Sequence, residues 1–257
     1  MQEIDPDHPS VLYSLSFQAL AEDNDLVTAA RYLERSCEAD PTNFNGLLTL
    51  TGFGRSDLAA EVGEYVLARD PLCQDCREST ARAYRNLGDF DRSIELLRKG
   101  LELDPEWVPG HSGLTLSLVY AGRPEEALEN AVAFEEMAKQ QGIGEAPWPG
   151  HLEALHDLGM TGEFEALLPG YIEGHVQIVP DYIAQVYAWI GDADRAIEWL
   201  DKVDTTDSYR IRHVIVRTAY QQIYDDPRMQ ALLERYQLMP EQVEAVGLDL
   251  DPCLSAL

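Results

Sequence analysis

The sequence predicts an all-α fold, a solenoid of about six helix–turn–helix units with a helical cap at the C-terminal end. Three regularities predict it. A motif recurs as Leu87-Gly-Asp-Phe-Asp-Arg-Ser-Ile-Glu-Leu-Leu, Ala121-Gly-Arg-Pro-Glu-Glu-Ala-Leu-Glu-Asn-Ala and Ile190-Gly-Asp-Ala-Asp-Arg-Ala-Ile-Glu-Trp-Leu. Turn glycines are expected at Gly54, Gly88, Gly122, Gly162 and Gly191, in steps of 34, 34, 40 and 29 residues. Asp-Pro pairs at Asp40-Pro41, Asp70-Pro71 and Asp104-Pro105 separate units, because proline cannot continue a helix and the residue before it avoids the α region. Repetition at this period marks stacked helical hairpins.

In the first unit Asn24 takes the turn slot, since Asn is the next best residue where φ is positive. Five residues after each turn stands a small residue: Ala29, Ala59, Ser93, Ala127 and Ala196. Four residues before it stands a large one: Leu20, Leu50, Tyr84, Leu118, Leu158 and Tyr187. Small facing large at a fixed offset lets paired helices approach and interlock. Ile94, Leu97 and Leu101 follow the apolar spacing of an amphipathic second helix. The second unit has a short first helix, over 44–52. Residues 137–150 carry Gly142, Gly144, Pro147 and Pro149 and read as a kink or loop between a front and a rear block.

Downstream, 209–224 reads as helical, and Asp226-Pro227 starts a helix with an Asp cap and Pro at its first position. Residues 240–246 read as one more short helix. The expected organisation is an N-terminal segment (1–9), four units (10–141), two degenerate units (142–205), capping helices (206–246) and a loosely ordered tail (247–257).

Lys and Arg number 19 against 46 Asp and Glu, a formal charge of −27. That balance argues against nucleic acid and against an anionic membrane surface as partners of this segment. No apolar run approaches the length of about 18 residues that a membrane helix needs. The first 30 residues lack the basic and apolar regions of a signal peptide, so the expected location is the cytoplasm.

These motifs resemble the tetratricopeptide repeat (TPR) family: a 34-residue helix–turn–helix unit with Gly at the turn, Ala early in the second helix and Pro at the end. The resemblance spans 10–205 and is strongest over 74–107 and 108–141. It implies a right-handed superhelix with a concave face. The stretch Asp225-Asp-Pro-Arg-Met-Gln-Ala-Leu-Leu-Glu-Arg-Tyr-Gln-Leu is similar to the closing segment of TPR regions in bacterial signalling proteins. Those proteins include class III adenylate cyclases, serine/threonine kinases and winged-helix regulators. The chain therefore reads as the interaction segment of a longer bacterial regulator.

The resemblance also implies which residues face the groove. They are Glu78, Arg82, Arg85 and Asn86, then Ser112, Leu116, Val119 and Tyr120, then Leu152, His156 and Met160, and finally Gln185, Ala188 and Trp189. Arg82 and Arg85 form a basic spot in an acidic chain. Beside Tyr120 and Trp189 they suit a peptide with an acidic group. The opposing reading pairs both arginines with Glu78 and Asp89. The clamp with which some TPR proteins grip chaperone tails is not matched, because Glu78, Ser79, Ser112 and Gly113 stand in its slots.

The remaining chemistry candidates are sparse. Cys73-Gln-Asp-Cys76 is a lone CxxC that reads as packing, with Cys37 and Cys253 standing alone. In the run His151-Leu-Glu-Ala-Leu-His156, Glu153 and His156 share a face but supply only half of a di-iron motif. No catalytic constellation, cofactor loop or metal set appears. The expected function is a non-catalytic scaffold binding a protein or peptide in the groove. The alternatives are a homodimerisation module and an enzyme with its site near 137–150.

Overall fold

The computed structural model describes residues 5–40, 47–142, 147–176, 179–203, 208–251 and 255. Among them the regular structure is helical, with no strand. Six hairpins follow in order: α1 (Pro9–Ala21) with α2 (Leu26–Ala39), α3 (Leu47–Gly52) with α4 (Ser56–Arg69), α5 (Gln74–Leu87) with α6 (Phe90–Leu103). Then come α7 (Val108–Tyr120) with α8 (Pro124–Gln140), α9 (Pro149–Asp157) with α10 (Thr161–His175), and α11 (Pro180–Trp189) with α12 (Ala193–Leu200). The odd-numbered helices from α3 to α11 pack on one another in series and form the inner layer. After them come α13 (Ser208–Ile215), a 3-10 helix (Thr218–Ile223), α14 (Pro227–Arg235) and α15 (Pro240–Val246).

The turns hold the expected residues in the left-handed region at four glycines and one asparagine: Asn24 (φ 52°), Gly54 (78°), Gly88 (82°), Gly122 (70°) and Gly191 (76°). The acid that follows three of them starts the next helix. Asp25, Asp89 and Asp192 accept from the backbone N–H of Thr28, Arg92 and Arg195 at 3.0, 3.1 and 3.0 Å. The fifth turn is not where the sequence places it. Gly159 has the positive φ (68°), and Gly162 lies inside α10. The steps then become 34, 34, 37 and 32 residues. Two glycines three apart compete for one slot, and packing decides between them. Leu155, four before Gly159, is 2% exposed, whereas Leu158 is only half-buried.

The small residues Ala29, Ala59, Ser93, Ala127 and Ala196 are all fully buried between their helices. Asp40, Asp70 and Asp104 end α2, α4 and α6 with ψ of 83°, 82° and 95°, the extended values a following proline imposes. Asp70 and Asp104 turn their carboxylates onto the N–H of Leu72 and Glu106, two residues on. They do not cap the next helices; Cys73 caps α5. Between α6 and α7 the Trp107 ring fills the space left by two glycines. A Cβ on Gly100 or Gly110 would lie 2.3 or 2.1 Å from it.

The C-terminal segment does more than cover the last hairpin. Met229, Leu233, Tyr236 and Leu238 join the core of α11 and α12. The chain then returns to its start: α13 packs on α1 and α3, and α15 on α2. Leu248 and Leu250, expected in a loose tail, are 7% and 1% exposed in the core of the first two hairpins. Burying each contributes about 2 kcal/mol, enough to fix that stretch. Arg212, fully buried on α13, donates to Asn24 Oδ1 at 2.7 Å and to the Gly52 carbonyl at 3.4 Å. Gln237 donates to the Asn24 carbonyl at 3.2 Å. The residue in the first turn therefore serves a clasp as well as a dihedral angle.

Candidate functional site

The inner helices border a cavity of about 700 Å³. Helices α5 and α7 build most of its wall. Tyr13 and Leu47 reach it from the first two hairpins, and Trp148, Pro149, Tyr182 and Arg217 from the rear. The return of the C-terminal segment is what brings Arg217 opposite α5. Next to it, Thr218 donates to the Arg85 carbonyl at 3.0 Å.

Of the groove residues expected from sequence, Glu78, Arg82, Arg85, Ser112, Leu116, Tyr120 and Gln185 line this cavity. Asn86, Val119, His156 and Trp189 do not. Asn86 is half-buried, with its amide 3.5 Å from the Ser56 hydroxyl. Val119 is 1% exposed in the central core. Trp189 supports the cavity from behind, its ring 4.7 Å from that of Tyr120 and its indole N–H donating to Asp157 at 3.0 Å. His156 is exposed and touches Phe164. Its misplacement follows from the turn at Gly159. Moving that unit's register back three residues replaces Leu152, His156 and Met160 by Pro149, Glu153 and Asp157. Pro149 lines the cavity, and Glu153 accepts from the cavity residue Gln185 at 3.1 Å.

The arginines have unequal environments. Arg82 pairs with Glu78 (Nη2 to Oε2, 2.7 Å), as the opposing reading expected. Arg85 does not pair with Asp89, which caps α6 instead. It is 7% exposed and donates to neutral oxygens, the Gly113 carbonyl at 3.2 Å and the Ser117 hydroxyl at 3.3 Å. Among the described residues no carboxylate bonds it. Burial accordingly pushes its pKa down, with Glu78 opposing the shift. Arg217 is held by Asp181 at 3.0 Å and donates to Gln185 at 3.2 Å. Burial is the largest influence and works against its charge, but Asp181, Tyr182 and Tyr220 together outweigh it and the net shift is upward. Glu153 is fully buried, and one of its oxygens has no hydrogen-bond partner. Burial raises its pKa to about 8 against the Gln185 hydrogen bond, so it is largely protonated at neutral pH and cannot neutralise the arginines.

Sequence reasoning missed the cystine. Cys73 and Cys76 form a disulfide, and both line the cavity. The packing reading of a thiol pair is therefore corrected. Three residues in the first turn of a helix bring two side chains within bonding reach, here with Cα atoms 5.3 Å apart. Cys37 is also disulfide-bonded; Cys253 lies outside the described residues. His151 bonds Glu135 at 2.9 Å, and that carboxylate also accepts the Trp148 N–H, which fastens the start of α9 to α8. Among the described residues no three His, Cys, Asp or Glu are placed to share a metal ion. No described helix is long and apolar enough to cross a membrane.

Comparison with known proteins agrees with this architecture. The tetratricopeptide repeat family matches residues 81–106, the turn between α5 and α6 with its flanking helices. A crystal structure of a tetratricopeptide repeat protein from Parabacteroides merdae is similar over 96% of this chain and 98% of that one, at 17% identity and a TM-score of 0.50. The structure of Naa15/Naa10 bound to HypK-THB aligns with 96% of this chain and 40% of that one, at 19% identity and a TM-score of 0.37. No curated protein matches the chain. With repeating hairpins and their turn residues, the chain is an all-α helical repeat solenoid, and its α5–α6 hairpin matches the tetratricopeptide repeat family.

Proposed function

We propose that the cavity binds an acidic protein or peptide segment, and that the chain works as a non-catalytic interaction or regulatory scaffold. The observation that carries this reading is Arg85, a buried guanidinium at the cavity wall that spends its hydrogen bonds on neutral oxygens. In a chain of net charge −27, a cation that no carboxylate among the described residues bonds attracts an incoming one. Tyr120, its ring packed at a tilt on Trp189 behind it, gives the site a rigid apolar side. Stacked repeats offer concave surfaces of this kind for partners.

End-to-end dimerisation is less favoured by the architecture. The last elements pack on the first two hairpins, so they cover apolar faces that a second copy would need. Disulfides persist where thiols are not kept reduced. The reading therefore carries an oxidising compartment rather than the cytoplasm expected from the lack of a signal-peptide pattern.

The test is fluorescence anisotropy with a labelled Glu/Asp pentapeptide and its Gln/Asn counterpart. Arg85→Met is the variant of choice, because Arg85→Glu would set a second carboxyl near Glu153 and the Gly113 carbonyl. The acidic peptide should bind the native chain, and Arg85→Met should weaken it at least tenfold with an unchanged circular dichroism spectrum. Equal affinity for both peptides would remove the assignment.

A further inference from the structure

We propose that the Cys73–Cys76 cystine is a thiol–disulfide exchange site that oxidises a cysteine pair in a peptide seated in the cavity. The proposal rests on the cavity accepting a peptide. Both cysteines line that cavity and both are half-buried, within reach of a bound chain. Cys37, the other described cysteine, is fully buried in the first core.

The position of the cystine suits exchange better than bracing. It links residues only three apart. A loop that short restricts the unfolded chain little, so opening it leaves the hairpins in place. Its two sulfurs are also inequivalent. Cys73 caps the 14-residue helix α5, and its Sγ accepts the Cys76 N–H at 3.2 Å. A thiolate at Cys73 keeps that hydrogen bond and gains from the positive end of the helix. The sulfur that leaves best is the one whose thiolate is best stabilised.

The exchange then has a direction. A peptide thiolate attacks Cys76 Sγ, a peptide–Cys76 disulfide forms, and the Cys73–Cys76 bond breaks with its electron pair on Cys73. A second peptide thiolate attacks the peptide sulfur of that mixed disulfide and releases the Cys76 thiolate. The peptide leaves as a disulfide, two electrons poorer. The chain holds a dithiol, its two protons replacing through solvent the two the peptide lost.

The experiment is a single turnover of the purified, oxidised full chain under argon, with no reoxidant. The probes are an acidic peptide carrying two cysteines and its single-cysteine version. Samples are acid-quenched, alkylated and mapped by mass spectrometry. The expected result is reduction of Cys73–Cys76 at least tenfold faster than by 2-mercaptoethanol at equal thiol, with the Cys37 disulfide intact. The single-cysteine peptide should be trapped on Cys76, with Cys73 alkylated. An adduct on Cys73 overturns the assigned direction. Reduction no faster than that of the Cys37 disulfide overturns the site. A Cys73→Ser/Cys76→Ser variant keeps an oxygen cap on α5 and separates the two failures. If it binds the peptide while the oxidised native chain stays inert, exchange alone is refuted. If it does not bind, the groove reading fails and this proposal with it.

Discussion

Replacing Glu153 by glutamine changes how the stability of the fold depends on pH. The carboxyl has an ordinary pKa of 4.5 and one of about 8 in the folded chain, with burial as the main cause. The folded state therefore binds the proton more tightly than the unfolded state. The stabilisation is fully present below pH 4.5 and is lost as pH rises toward 8. Each pH unit inside that window costs about 1.4 kcal/mol, so the loss reaches about 3 kcal/mol at pH 7 and about 5 kcal/mol above pH 8. Glutamine keeps the shape and the Gln185 contact and cannot ionise. Urea unfolding of both proteins at pH 5, 7 and 9 is the assay, read as the difference between them so that other titrating groups cancel. Glu153→Gln should gain on the native chain by about 2 kcal/mol between pH 5 and 7, and further by pH 9. A difference that stays flat across the three values would refute the reasoning, because it would mean that the carboxyl is ionised and solvated in the folded state.

Other perturbations test the fold. Asn24→Gly keeps the positive φ of the first turn but takes the amide oxygen from buried Arg212; thermal unfolding should show a loss of about 2 kcal/mol. Gly159→Ala should cost about 1 kcal/mol, since φ is +68° there. Gly162→Ala, inside α10 with open space around it, should gain about 1 kcal/mol, and the opposite order in denaturant melts would restore the turn to Gly162. Gly110→Ala forces a methyl to 2.1 Å from Trp107 and should lower stability by about 2 kcal/mol by calorimetry.

The sequence alone determined what depends on neighbours along the chain. A glycine or asparagine in the left-handed region, an acid capping the next helix and a proline ending the previous one act within a few residues. The hairpins at Gly54, Gly88, Gly122 and Gly191 could therefore be read directly. The small-and-large register held at those turns and at Asn24, because it repeats where two adjacent helices cross, and it failed at Leu158, where the turn itself lies three residues earlier. Tertiary structure decided what depends on distant partners. Whether Gly159 or Gly162 turns the chain was settled by which leucine could be buried, and that choice carried His156 away from the cavity. Arg82 and Arg85 are alike in sequence. One meets Glu78 a helical turn away, while the other points at α7 and finds neutral oxygens there. The return of residues 212–250 to the first hairpins rests on apolar side chains and one buried arginine that carry no local signal. Only that closure placed Arg217 across from α5, where it joins the cavity lining.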